Sequence, residues 1–133
     1  MFVPSPDSVY YRPCLIVAYS DSGFAARVSR AFRLLGWDVY VARSGPEARR
    51  LARMLFPDLA ILDAELPEES GWLTCEKLVS EQPLLRVFVV GASDSIKDDK
   101  FASFVGAAGY VPRCRGVKGL VDEACGAALQ ATT

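Results

Sequence analysis

From Cys14 onward, short unbroken apolar runs alternate with longer stretches in which apolar residues return every three or four positions. The first run, CLIVAY (Cys14 to Tyr19), is rich in aliphatic and β-branched residues and predicts a strand buried on both faces. In the following DSGFAARVSRAFRLLGW, Phe24, Val28, Ala31, Phe32 and Leu35 recur at helical spacing, with Arg27, Arg30 and Arg33 largely on other faces and Gly36 as the stop. DVYVA (Asp38 to Ala42) reads as a second strand. SGPEARRLARMLF opens a second helix with Ser44 as N-cap, Pro46 in the first turn and Glu47 at capping-box distance, and Pro57 ends it.

The alternation continues through LAILD (Leu59 to Asp63), a third strand, GWLTCEKLVSEQ, a third helix, and LRVFVVGA (Leu85 to Ala92), a fourth strand. SIKDDKFASFVGA predicts a fourth helix whose apolar side includes Ile96, Phe101, Phe104 and Val105. GYVP (Gly109 to Pro112) is a brief fifth strand and GLVDEACGAALQ a closing helix. Strict strand and helix alternation with short connections implies parallel strands joined by right-handed crossovers, hence an α/β three-layer sandwich. Residues 1–13, with three prolines and little periodicity, read as an extended N-terminal arm before a domain spanning 14–130.

Composition narrows the function. The 133 residues, 51% of them hydrophobic, suit one packed domain. Fifteen basic and sixteen acidic residues in mixed order give a formal net charge of −1, without the basic stripe that tracks a nucleic-acid backbone, so nucleic-acid binding is not expected of this domain. The chain has no histidine, and its four cysteines lack C-x-x-C spacing, which weakens zinc binding and histidine catalysis and favours free thiols in a reducing compartment. No apolar run is long enough to span a membrane and the first residues do not form a signal peptide, so no membrane association is expected and the expected location is cytoplasmic.

In a parallel α/β sheet, ligands gather beyond the carboxyl ends of the strands. Asp63 lies at such an end, as do Tyr19, Ser20, Asp21, Gly91, Ala92 and Arg113. A strand-end aspartate taken alone reads as a cap for the next turn. Here Pro67 and Gly71 follow Asp63 at four-residue intervals, within PDLAILDAELPEESGW.

That stretch, set among five strand and helix units with LLGWDV (Leu34 to Val39) and GAAGYVP (Gly106 to Pro112), resembles the receiver domain of two-component response regulators over nearly the whole chain. The resemblance implies a flavodoxin-like fold, with a five-stranded parallel sheet in the order 2-1-3-4-5 and five helices, and a signalling role instead of an enzymatic one. In that family the aspartate at the position of Asp63 accepts a phosphoryl group from a histidine kinase. An acidic pair that holds Mg²⁺ would fall on Tyr19 and Ser20, a Ser or Thr on Gly91, a small residue on Ala92, and a lysine on Arg113. Tyr110 matches an aromatic residue that swings inward when the Ser or Thr engages phosphate. With Gly91 at that place, Tyr110 is expected to be a partly buried edge-strand aromatic.

The departures point to a degenerate pseudo-receiver that acts as a phosphorylation-independent interaction module. Arg113 can grip a carboxylate through two parallel hydrogen bonds, and an Asp63 to Arg113 ion pair would stand in for metal and phosphoryl group, while Tyr19 fills the emptied acidic pocket. The alternative is a working receiver phosphorylated on Asp63, with Glu65 and Asp21 joining Asp63 around a rewired Mg²⁺ site. The resemblance further implies a signalling partner, either a histidine kinase or a downstream protein. It also implies a homodimer or docking face on the fourth helix, fifth strand and fifth helix.

Overall fold

In the computed structural model, which describes residues 12–132, five parallel strands form one sheet in the order β2-β1-β3-β4-β5. These are β1 (Cys14–Ala18), β2 (Asp38–Ala42), β3 (Leu59–Asp63), β4 (Arg86–Gly91) and β5 (Gly109–Pro112). They alternate with α1 (Ser22–Leu34), α2 (Gly45–Leu55), α3 (Gly71–Glu81), α4 (Ile96–Phe104) and α5 (Gly116–Thr132). Fold class and strand order agree with the sequence reading. The extended arm expected over 1–13 lies, up to residue 11, outside the described residues. Its last two residues are tied to β2, since the Asp38 amide donates to the Pro13 carbonyl at 2.9 Å and Arg12 pairs with the Asp38 carboxylate at 3.0 Å.

Side-chain alternation along each strand divides the core in two. Leu15, Val17, Leu59, Ile61, Phe88 and Val90 face α1 and α5, where Phe24, Val28, Phe32 and Leu120 meet them. On the opposite face, Ile16, Ala18, Ala60, Leu62, Val87 and Val89 pack against α2, α3 and α4 through Ala48, Ala52, Cys75, Leu78 and Ala102. Each large aliphatic side chain buried in this way contributes about 1.5–3 kcal/mol. β3, central in the sheet, is buried along its whole length and carries Asp63 to the carboxyl edge.

Two elements differ from expectation. A 3₁₀ turn, Arg113–Arg115, follows β5 directly, and α5 starts at Gly116, three residues before the helical stretch read from the sequence. α4 turns most of its expected apolar side outward: Ile96 is 75% exposed and Phe104 83%, while the small Ala102 makes the buried contact.

Candidate functional site

Asp63 is placed by β3 and kept out of water, at 1% exposure. A buried carboxylate demands compensation, and Asp63 receives it mostly from neutral donors. Its Oδ2 accepts from the Ser20 hydroxyl at 2.9 Å and, more weakly, from the Ser20 amide at 3.4 Å. Its Oδ1 accepts from the Glu65 amide at 3.0 Å. Close approach of α3 to this end of β3 requires Gly71, because a Cβ there would run into the Asp63 carbonyl oxygen.

Arg113 completes the site differently from expectation. Its Nη2 stands 3.7 Å from Asp63 Oδ1, an ion pair without the two parallel hydrogen bonds anticipated. The 3₁₀ turn directs the guanidinium across Tyr19 instead: Nε donates to the Tyr19 hydroxyl at 2.7 Å, and Cζ lies 5.4 Å from the ring centroid. Tyr19 is 2% exposed and leans on Phe24 at 4.5 Å. Burial pushes the Tyr19 phenol above its ordinary value, with the Arg113 hydrogen bond opposing that shift. The same hydrogen bond is the main reason that Arg113 is held more firmly in its charged form.

Tyr110 lies on the edge strand β5, as the sequence reading has it, and is buried more deeply than that reading expects. Its ring stacks on Trp72 at 5.6 Å with 14° between planes, and its hydroxyl donates to the Ser93 carbonyl. The reason is Gly91. A Cβ at that position would collide with the Tyr110 hydroxyl and come within 2.9 Å of the ring, so the missing side chain is the space that the tyrosine occupies. From Trp72 the aromatic contacts continue outward, edge-on to Phe101 at 4.9 Å and then to Phe104 at 6.2 Å. Nothing in the spacing of these residues announces the series.

Neither Asp21 nor Glu65 offers its carboxylate to Asp63. The Asp21 side chain caps α1, accepting from the Gly23 and Phe24 amides at 2.9 and 3.2 Å, and the exposed Glu65 contributes its backbone amide. Among the described residues no group of three His, Cys, Asp or Glu side chains is arranged to hold a metal ion. A Mg²⁺ ion at Asp63 would need several more oxygen ligands where Tyr19, Ser20 and a guanidinium stand. The residues present do not fit it. Ala92, also expected here, is exposed beside the buried Gly91.

A second buried carboxylate, in the connection from β3 to α3, was missed by sequence reasoning. Glu69, its side chain 7% exposed, takes a two-pronged grip from Arg49 of α2 at 3.0 and 3.2 Å. Lys77 and Thr74 of α3 each add a bond at 2.7 Å. Burial by itself would raise the carboxyl, but the bonds from Lys77, Arg49 and Thr74 outweigh it and hold Glu69 at about 2. Its partners lie 20, 8 and 5 residues away on two helices, so no local motif reveals them.

The family model described as response regulator receiver domain matches residues 16–124. The chain belongs to the response regulator receiver domain family. It is 34% identical over 99 residues to the probable transcriptional regulatory protein TcrX of Mycobacterium tuberculosis, covering 74% of this chain and 42% of that protein. It is also 34% identical over 82 residues to the DNA-binding transcriptional activator DevR/DosR of the same organism, covering 60% of this chain and 37% of that one. The receiver thus spans less than half the length of these curated relatives. Among solved structures, a Francisella response regulator receiver domain superposes with a TM-score of 0.81 at 21% identity, over 90% of this chain and 99% of that one. A CheY-like receiver domain from Methanospirillum hungatei gives 0.78 at 19%, over 85% and 90%. At these identities the likeness concerns the fold. Within the described residues of the receiver, no helix is long and apolar enough to cross a membrane.

Proposed function

We propose that this receiver is a signalling domain that works by contact, without phosphorylation, as a protein interaction module of a two-component or derived pathway. The observation that carries the reading is the state of Asp63: a buried carboxylate whose oxygens already accept from Ser20 and from the Glu65 amide, with the Arg113 cation beside it. Phosphoryl transfer brings an anionic nucleophile to an anionic donor, and a divalent cation is the usual means of offsetting that repulsion. Here the charge is offset from within the chain. Gly91 adds no hydroxyl for a phosphoryl oxygen, and Tyr110 takes the space above it. The aromatic series from Tyr110 through Trp72 to Phe101 and Phe104 joins this pocket to α4. The face formed by α4, β5 and α5 then presents one standing conformation to a downstream signalling protein or a second copy.

The test is intact-mass spectrometry of the folded protein after incubation with acetyl phosphate, with and without Mg²⁺, beside Asp63→Asn. No adduct is expected. A Mg²⁺-dependent phosphate adduct that vanishes in Asp63→Asn would overturn the proposal in favour of a working phosphoacceptor.

A further inference from the structure

Open volume at the carboxyl edge lies between α1 and the end of β2, closed on its inner side by Tyr19, Ser20 and Pro67 beside the Asp63 site. The groove there holds about 630 Å³, within the range of small-molecule sites. One face of α1 carries Ser22, Ala25, Ala26 and Ser29 along it, and these small residues leave Val41 of β2 uncovered, 42% exposed, as an apolar floor. A cation stands on each side of this floor in the chain. Arg33 is anchored by donating to the Val39 carbonyl at 3.0 Å, which leaves its other N–H groups available. The Arg43 guanidinium has no hydrogen-bond or ion-pair partner among the described residues, while Glu47 is held on the Arg43 backbone amide at 3.2 Å. Among the described residues that line the groove there are two arginines and neither an aspartate nor a glutamate, in a chain whose formal net charge is −1.

We infer that this groove is a binding site for a small organic anion, its apolar body lying on Val41 and the alanines of α1 and its phosphate- or carboxylate-type head paired with Arg43 and Arg33. Planar guanidinium forks suit such heads. The site lies beside the β1 and β3 ends, where the strand order reverses and ligands collect in open α/β sheets.

The probe is phenylphosphonate, whose P–C bond prevents phosphoryl transfer to Asp63, titrated into ¹⁵N-labelled protein and followed by amide chemical shifts. Saturable shifts are expected at Ser22, Ser29, Val41 and Arg43, with affinity about tenfold lower in Arg43→Ala. Val41→Glu, which sets a carboxylate on the floor, should also lower it, and Asp63→Asn, which removes a negative charge behind Ser20, should not lower it. Inorganic phosphate and benzyl alcohol, each carrying half of the recognised chemistry, should bind several-fold more weakly. Absence of saturation, shifts centred on Phe101 and Phe104, parent-like affinity in Arg43→Ala, or loss of binding in Asp63→Asn would each overturn the inference.

Discussion

Asp63, which ends β3, and Glu69, six residues on in the connection to α3, are both nearly sealed from water, and they are stabilised by opposite means. Glu69 is clamped by two cations and a hydroxyl at hydrogen-bonding distance. Asp63 relies on a hydroxyl and backbone amides, with its cation 3.7 Å away and half exposed. The difference separates a structural fastening between α2 and α3 from a strand-end carboxylate kept in a soft, polar setting. Burial alone does not distinguish the two; the charge and geometry of the partners do.

Breaking the fastening should produce the largest effect. Glu69→Ala strands Arg49 and Lys77 between two helices and should lower unfolding stability by about 3 kcal/mol in urea titrations. A loss comparable to that of Asp63→Asn would erase the contrast. Acid should reproduce part of the effect. Because the Glu69 carboxyl is lowered in the folded state to about 2 from an ordinary 4.5, its contribution is present above pH 4.5 and fades as pH falls toward 2. Glu69→Gln should therefore show a flatter stability profile than the parent across that window.

Around Asp63 the expected losses are smaller. Arg113→Ala removes the hydrogen bond to Tyr19, the ring contact and the long ion pair together, and should cost about 1.5 kcal/mol. Tyr19→Phe removes the hydrogen bond alone, about 1 kcal/mol. Asp63→Asn keeps an acceptor for the Glu65 amide and can donate to the Ser20 hydroxyl in place of accepting from it, giving up the long Ser20 amide contact and the distant, half-exposed ion pair, so a change under about 1 kcal/mol is expected. Thermal or urea unfolding of the three variants in parallel checks the order, and an Asp63→Asn loss above that of Arg113→Ala would show that Asp63 holds the pocket together more than the Arg113 contacts do.

The fold was legible because strands in a doubly covered sheet must be apolar throughout, as in LAILD, and because α1 carries its periodicity and α2 its cap in the open. Asp63, Tyr19 and Arg113 were legible by position at strand ends. Their partners were not. The route of Arg113 depends on a 3₁₀ turn that no pattern in PRCRG announces. Tyr110 turned inward because an absent side chain across the sheet at Gly91 makes room and Trp72 of α3 supplies a stacking surface, both of them long-range facts. α4 misled for a related reason: its aromatic residues follow helical spacing, yet Ala102 faces the core while Phe101 leans sideways on Trp72.

The face-to-face packing of Trp72 on Tyr110 also equips the molecule with an optical readout. The chain has two tryptophans, and Trp37 sits apart, edge-on to Phe32. In a Trp37→Phe background the emission of Trp72 would therefore report on the position of Tyr110 without any label. An event at the Asp63 pocket that dislodges the ring would be visible in a cuvette, and a spectrum that stays constant as partners are added would be the signature of a domain that communicates without moving.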